Sequence, residues 1–196
     1  MLIDKLKDFQ VILASASPRR KLLLDEMGFE FDVKVNKIPE VYPATYSPEE
    51  VAMHLCELKA SAFSSDELVP NKLIITADTV VAVDDEVIGK PISRKNAIEI
   101  LMKLSNREHK VITGVCLRTA NKMHSFTTNT KVFFKELSDN EINFYITNYL
   151  PYDKAGAYGI QEWIGHVAIE KIEGSYYNVM GLPTHRLYEE LLLFVK

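Results

Sequence analysis

The sequence predicts an α/β fold built around a mixed β-sheet. Short apolar strand-like runs alternate with amphipathic helical patterns, two strand-like runs are joined by a short turn as in a hairpin, and no repeat or linker interrupts the chain of 196 residues. Units in which a strand leads into a helix, mixed with hairpins, indicate a sheet with both parallel and antiparallel pairs. At this length a single domain over residues 1–196 is expected.

Four signals define the elements of the first half of the chain. An apolar run predicts a buried strand, and the pair Ser17-Pro18 predicts the N-cap and first residue of a helix. A capping box that begins at Ser47 predicts a longer helix, and a β-branched run predicts the strongest strand. The predicted elements are the strand 10–14, the helix 19–27, the strand 29–35, the loop 36–46, the helix 47–64 and the strand 73–83.

The second half continues the alternation. An acidic turn leads into a short strand, Ser93 predicts the N-cap of a helix, and a second capping box begins at Ser138. The last helix has apolar residues at helical spacing and is expected to pack on the core or to form a dimer contact. The predicted elements are the strand 87–88, the helix 93–104, the strands 110–119 and 125–135, the helix 138–149, the loop 151–165, the strand 167–172 and the helix 182–195.

Composition and charge exclude several classes of function. The chain is 47% hydrophobic and 26% charged, as in folded proteins, and its net charge of −4 disfavours non-specific binding to nucleic acid. No run approaches the length of a membrane span, and the charged first residues do not resemble a signal peptide. The two cysteines match neither a zinc motif nor a disulfide framework. We therefore expect a cytoplasmic protein that binds neither nucleic acid nor membrane.

The first candidate site follows the first predicted strand. Ser15, Ser17, Arg19 and Arg20 surround the expected N-terminus of a helix, where free N–H groups and the helix dipole favour anions. Hydroxyls and guanidinium groups add hydrogen-bond donors that suit phosphate oxygens. The alternative is an ordinary N-cap with a solvated first turn. No Walker loop or dinucleotide fingerprint is present.

Asp78 is the second candidate, because it interrupts an otherwise apolar strand. Burial of an unpaired charge is costly, so this carboxylate is expected to be ion-paired, metal-bound or catalytic. Lys59, in a predicted helix, and Lys90, in a Gly-Lys-Pro turn, could supply positive charge, and Glu40 could join Asp78 around Mg²⁺. Each of the three could equally be a solvated surface group.

The third candidate is the glycine-rich segment 152–161. Small residues allow close approach of a ligand to the backbone, while Asp153 and Gln161 offer hydrogen bonds. A flexible loop is the alternative interpretation, and the segment 174–183 is similar in character. The histidines show no metal-binding spacing.

Taken in this order, these segments resemble the Maf family of nucleoside triphosphate pyrophosphatases. The resemblance implies hydrolysis of a nucleoside triphosphate to its monophosphate and pyrophosphate with a divalent cation, Mg²⁺ or Mn²⁺. It also implies a central mixed sheet flanked by helices, two lobes around a cleft, and a homodimer. The matching segments are 13–20, 77–81, 89–91, 153–161 and 174–183.

The resemblance also implies roles for individual residues. Asp78 becomes the proton acceptor and, with Glu40, a metal ligand, whereas Lys59 and Lys90 become metal or phosphate partners. In this family an Arg, a Thr and a Gln at three of these positions are associated with dTTP and UTP, and Arg19, Thr79 and Gln161 match that pattern. The remaining substrate-binding residues carried over are Ser15, Ser17, Arg20 and Asp153. The next residues, 162–164, depart from the small residues usual there, so the rim of this loop is expected to differ.

Two other functions remain as alternatives. One is a non-catalytic regulator of cell division that binds a nucleotide or a protein partner, which predicts tight nucleotide binding without metal-dependent turnover. The other is a purine-type enzyme, similar to inosine triphosphate pyrophosphatases, which base selectivity separates from a pyrimidine enzyme.

Overall fold

A seven-stranded mixed β-sheet, flanked by helices, forms the centre of the fold in the computed structural model, which describes residues 1–196. Its strand order is β2-β1-β3-β5-β6-β7, with β4 paired to β3. The strands are β1 (Gln10–Leu13), β2 (Asp32–Val33), β3 (Lys72–Val83), β4 (Glu86–Ile88), β5 (Glu108–Arg118), β6 (Met123–Phe134) and β7 (Ile169–Glu173).

Eight α-helices connect and flank these strands. They are α1 (Leu2–Leu6), α2 (Pro18–Glu26), α3 (Pro48–Ser61), α4 (Arg94–Leu104), α5 (Asp139–Tyr149), α6 (Trp163–Val167), α7 (Tyr176–Met180) and α8 (Thr184–Phe194). The predicted caps are confirmed, because Ser17, Ser47, Ser93 and Ser138 each accept a backbone N–H from the first turn of α2, α3, α4 and α5. None of the helices combines the length and apolar character needed to cross a lipid bilayer.

Pairing directions confirm the mixed sheet. Strand β1 pairs in parallel with both β2 and β3, as expected for strands that are joined through helices. Strand β4 pairs antiparallel with β3, and β7 pairs antiparallel with β6. The sheet therefore contains both parallel and antiparallel pairs. Strands β5 and β6, which the sequence predicted to pair, are neighbours in it.

The chain divides into two compact units, each assembled from separate segments. The first unit comprises residues 1–78, 113–128 and 181–196, and the second comprises residues 79–112 and 129–180. The first unit buries an apolar cluster of Ile12, Ala14, Phe63, Leu68 and Ile74. The second unit buries a larger cluster between α4, α5 and the strands, including Leu101, Val132, Ile142 and Tyr145.

Both cysteines lie in the core of the first unit. Cys56 and Cys116 are free thiols that pack with Ala60. Burial raises the pKa of both thiols, that of Cys116 to about 11. The thiolate is the reactive form of cysteine, so both side chains serve here as small apolar core groups.

Four parts of the predicted secondary structure differ from the structure. The strand predicted over 29–35 is reduced to Asp32–Val33, since both residues are exposed and bury no apolar surface that would favour a longer strand. The loop predicted over 151–165 contains α6, whose Ile164 is buried in the core. A short helix, α7, lies within 174–183, and β7 begins two residues later than predicted.

Gly114 sets the distance between α3 and β5. A Cβ atom at this position would lie 2.2 Å from the carbonyl oxygen of Ala52, a backbone atom of α3. Glycine therefore allows the helix backbone to lie directly on the strand. Because α3 carries Lys59, this contact also fixes the height of that lysine above the sheet.

We expect Gly114→Ala to lower the free energy of unfolding by about 1–3 kcal/mol, because the added methyl group forces α3 away from β5. Chemical denaturation measures the loss. Gly89→Ala is the matched control, since nothing lies within 4 Å of a Cβ atom there. Equal stability of the two variants would contradict the close-packing role of Gly114.

Candidate functional site

The loop between β1 and α2 holds a cluster of hydroxyl and guanidinium groups. The Ser15 hydroxyl accepts hydrogen bonds from Nη1 of Arg20 at 3.2 Å and from the Ser17 backbone N–H at 3.2 Å. Nε of Arg20 donates to the carbonyl of Gly181 at 2.8 Å. Ser17 therefore caps the helix, and a fixed cation lies beside its first turn. The assignment of this segment to phosphate binding stays a prediction.

Arg20 lies within electrostatic range of two carboxylates. Burial lowers the pKa of its guanidinium group, and Arg19 lowers it further, while Asp78 and Glu40 oppose that change. Arg20 thus lies near Arg19 and near the acidic residues Asp78 and Glu40. The structure brings the first candidate site and Asp78 together.

Two contacts fix Asp78 beneath α3. Thr76 and Asp78 are two residues apart on β3 and so point to the same face of the sheet. The Thr76 hydroxyl donates to the carbonyl of Cys56 at 2.6 Å, and one turn further along α3 the ammonium group of Lys59 pairs with Oδ1 of Asp78. The ion pair of Lys59 with Asp78 therefore follows from the two-residue alternation of side chains in β3 and from the one-turn spacing in α3.

Glu40 completes an acidic pair around the same lysine. Nζ of Lys59 lies 2.7 Å from Oε1 of Glu40 while it also contacts Asp78. The side chains of Lys59 and Asp78 are 17% and 12% exposed, whereas that of Glu40 is 45% exposed. The mostly buried carboxylate thus has its counter-ion, and the more exposed one reaches the pair from the loop before α3.

Arg118 anchors the end of the helix that carries Lys59. Its Nη1 atom donates to the carbonyl of Ala60 at 2.5 Å and to that of Phe63 at 3.2 Å. The Ala60 carbonyl belongs to the last turn of α3 and the Phe63 carbonyl follows the C-cap, a region where the helix dipole favours positive charge. Arg118 therefore fixes the turn from which Lys59 reaches Asp78.

Glu40 and Asp78 are the residues that fit a divalent cation. No group of three or more His, Cys, Asp or Glu side chains is arranged to hold a metal ion. Magnesium often binds through one or two carboxylates and takes its other ligands from water and substrate phosphates. Two carboxylates that already share one cation, the Lys59 ammonium, suit that kind of site.

The other four predicted site residues lie in the second unit. Thr79 is partly buried in β3, and Lys90 is exposed in the turn after β4. The carbonyl of Gly89 accepts a hydrogen bond from the N–H of Gly156 at 3.2 Å, so the Lys90 turn adjoins the glycine loop, defined as residues 153–161. The remaining two residues, Asp153 and Gln161, form the ends of that loop.

The glycine loop packs tightly on β3. Gly156 has a φ of +70°, and a Cβ atom there would lie 2.9 Å from Cγ2 of Val81. At the end of the loop, Oε1 of Gln161 is buried and has no hydrogen-bond partner. A buried acceptor without a hydrogen bond costs free energy, so this amide oxygen is suited to accept a hydrogen bond from a ligand.

A buried histidine supports the middle of the glycine loop. Nε2 of His109 lies 2.8 Å from the Tyr158 hydroxyl, and both rings make edge-to-face contacts with Phe134. Burial lowers the pKa of His109 to about 3, so the ring is neutral at physiological pH. His109 thus serves as an uncharged support for the loop.

Several supporting residues were missed by sequence reasoning. They are Thr76, Arg118 and His109. Thr76 could have been found from its spacing to Asp78, which places both on one face of β3. Arg118 is distant in sequence from the turn that it holds, and no local pattern indicates that contact.

A family model described as "Maf-like protein" matches residues 10–194. The chain belongs to the Maf family. Curated Maf relatives include the dTTP/UTP pyrophosphatase of Phocaeicola vulgatus, 50% identical over 97% of this chain and 98% of that protein. The dTTP/UTP pyrophosphatase of Flavobacterium johnsoniae is 46% identical and covers 100% of both chains. Among solved structures, a nucleoside-triphosphatase (dITP/XTP pyrophosphatase) of Mycobacterium abscessus is 13% identical, with a TM-score of 0.40, over 66% of this chain and 76% of that chain.

The Maf match covers every predicted site residue. It begins before Ser15 and ends after Gly181, whose carbonyl anchors Arg20. The predicted family is therefore confirmed. The roles of the individual residues stay predictions.

We expect His109 to make stability depend on pH. With a folded pKa of about 3 and an unfolded value near 6.5, the unfolded chain binds the extra proton between these values, so stability falls as pH falls below about 6.5. Between pH 7.5 and pH 5 the free energy of unfolding should fall by about 2 kcal/mol more in the wild type than in His109→Phe.

Denaturation with urea at the two pH values measures this difference. His185→Phe is the control, because the His185 side chain is 85% exposed. The same pH dependence in the wild type and His109→Phe would show that His109 does not stay neutral in the folded protein.

Proposed function

We propose that this chain hydrolyses dTTP and UTP to the nucleoside monophosphate and pyrophosphate, with Mg²⁺ or Mn²⁺ as cofactor. The observation that carries the proposal is the convergence of Arg20, Glu40, Lys59 and Asp78 from separate segments of the first unit. Cations next to a paired carboxylate suit the hydrolysis of a polyanion. The choice of nucleotide rests on full-length relatives that are named dTTP/UTP pyrophosphatase.

The phosphates are assigned to the cations. Arg19 and Arg20, near the N-terminus of α2, offer guanidinium donors, and the helix end adds backbone N–H groups. Ser15 and Ser17 fix this cluster through their hydroxyls. Lys59 and the exposed Lys90 add two ammonium groups, so much of the triphosphate charge can be neutralised by protein.

Asp78 is assigned as the proton acceptor. A water molecule attacks phosphorus, the bond between the α and β phosphates breaks, and pyrophosphate leaves, while the proton of the water passes to the Asp78 carboxylate. Such a step contributes typically a factor of 10²–10⁴ to the rate. In the free protein, Lys59 holds this carboxylate in place through its ion pair.

Glu40 and Asp78 would hold the divalent cation. When bound, such an ion neutralises charge on phosphoryl oxygens and lowers the pKa of a bound water. Lys59, which contacts both carboxylates, would then be available to the phosphates.

Gln161 is assigned to the base. Its buried Oε1 atom accepts no hydrogen bond, and the N–H groups of the same amide are hydrogen-bond donors. Uracil and thymine present an N3–H donor beside the O4 acceptor, which complements such an amide, whereas cytosine has an acceptor at N3. Thr79 and Asp153 are further substrate-binding residues in this proposal. The homodimer and the cytoplasmic location that the family resemblance implies belong to the same proposal.

A nucleotide panel tests the substrate assignment. With Mg²⁺ or Mn²⁺, pyrophosphate release should be fastest from dTTP and UTP. It should be at least tenfold slower from CTP, whose N3 is an acceptor, and from GTP and ITP, whose two-ring bases are larger than a pyrimidine. Preference for ITP would indicate a purine-type enzyme. Tight binding of nucleotide without metal-dependent turnover would indicate a non-catalytic regulator.

We expect Asp78→Asn to lower kcat by about 10²–10⁴ while dTTP binding is retained, because the amide fills the same space but accepts no proton. Pyrophosphate release and equilibrium binding measure the two effects. Asp85→Asn is the control, since this aspartate lies in the turn after β3, where Asn also tolerates its φ of +63°. Near-normal turnover of Asp78→Asn would remove the proposed role.

A further inference from the structure

A chain of side-chain contacts joins α5 to the end of the glycine loop. The Tyr145 hydroxyl donates a hydrogen bond to Oε2 of Glu162 and accepts one from the backbone N–H of Gly159 at 3.0 Å. Oε1 of Glu162 lies 3.1 Å from Nζ of Lys154, which in turn lies 2.7 Å from Oδ1 of Asp153. All of these residues belong to the second unit. We call Tyr145, Glu162 and Lys154 the loop latch.

The loop latch is mostly shielded from water. The side chains of Lys154 and Glu162 are 9% and 18% exposed, and Tyr145 is fully buried. Burial, reinforced by the Glu162 carboxylate, raises the pKa of Tyr145, so its hydroxyl stays a donor to Glu162. Polar groups in such surroundings hold a defined geometry, because loss of any one partner leaves another unsatisfied.

Gly159 links the loop latch to Gln161. A Cβ atom at Gly159 would lie 2.9 Å from Cδ of Glu162 and 3.1 Å from Nε2 of Gln161. The Glu162 backbone N–H also donates to the carbonyl of Gly159 at 3.0 Å. The side chains of Glu162 and Gln161 therefore lie against the same point of the loop backbone, and the backbone N–H at that point is held by Tyr145.

We propose that Glu162, acting with Tyr145 and Lys154, is a positioning residue that fixes the glycine loop so that the Gln161 amide faces the pyrimidine base. The proposal rests on the proposed function, in which Gln161 reads the base. Glu162 acts through the backbone of Gly159 and needs no contact with substrate. This role also explains why a glutamate stands at position 162, where the sequence begins to depart from the small residues usual in the family.

The first experiment compares kcat and KM for dTTP and CTP in the wild type, Tyr145→Phe and Glu162→Gln. A base contact contributes equally to the ground state and the transition state, so its misplacement raises KM and leaves kcat nearly unchanged. We expect KM for dTTP to rise about tenfold in each variant, with kcat within about threefold and CTP hydrolysis little changed. The preference for dTTP over CTP then falls about tenfold.

Two further variants sharpen the comparison. Tyr149→Phe removes a hydroxyl from a ring that stacks on Tyr145 at 5.2 Å but lies outside the loop latch, and it should keep the wild-type preference. The double variant Tyr145→Phe with Glu162→Gln should lose no more preference than the more affected single variant, because both act through one contact chain.

A second experiment needs no turnover. Hydrogen exchange of the Gly159 amide in the free protein should be at least tenfold faster in Tyr145→Phe than in the wild type, since the phenol oxygen that accepts this N–H is gone. In Tyr149→Phe the exchange rate should be unchanged. Glu162→Gln keeps the volume of the side chain and removes the charge that pairs with Lys154, so it provides a folded variant for the kinetic comparison if Tyr145→Phe is unstable.

The outcomes separate this proposal from the proposed function. An active wild type whose variants keep the dTTP preference, or lose kcat equally for both nucleotides, overturns the positioning role and leaves the function standing. A wild type that hydrolyses neither dTTP nor UTP overturns the proposed function, and base positioning with it. Unchanged exchange at Gly159 in Tyr145→Phe overturns the loop latch itself.

Discussion

The buried charge of Asp78 is the constraint on which the candidate site depends. A carboxylate within an apolar strand must find a counter-ion, and only a cation held at a fixed height above the sheet can supply it. Lys59 does so because three contacts hold α3 on the sheet. The helix backbone packs directly on Gly114, the Thr76 hydroxyl donates a hydrogen bond to it, and Arg118 donates hydrogen bonds at its C-terminal end. The packing of α3 on the sheet therefore determines whether the Asp78 carboxylate has its counter-ion.

The polar contacts described within the first unit differ in kind from those within the second. In the first unit, charged groups face one another with part of their surface in water, an arrangement that can exchange partners when a polyanion arrives. In the second unit, the loop latch and the pair of His109 and Tyr158 are buried and rigid. Exchangeable charges suit phosphate binding, and a rigid loop suits discrimination between bases.

Much of the fold followed from local patterns in the sequence. Capping residues such as Ser47 act within one helical turn, and hydrophobic alternation identified β3, so both were predictable. Asp78 was found because a carboxylate is unusual within an apolar strand, whereas Thr79 was assigned only through the family resemblance. What stayed hidden depends on tertiary contacts: α6 forms because Ile164 is buried, and Arg118 reaches across the fold to the end of α3.

The burial of Cys56 and Cys116 has a practical consequence. Thiol reagents attack the thiolate, and burial keeps both sulfurs protonated and out of reach. The native chain should therefore stay unlabelled under mild alkylation. A single cysteine introduced at an exposed position would therefore be the one site labelled with a fluorophore or spin label. The two natural cysteines could stay in place, and the core beside Ala60 would not be disturbed.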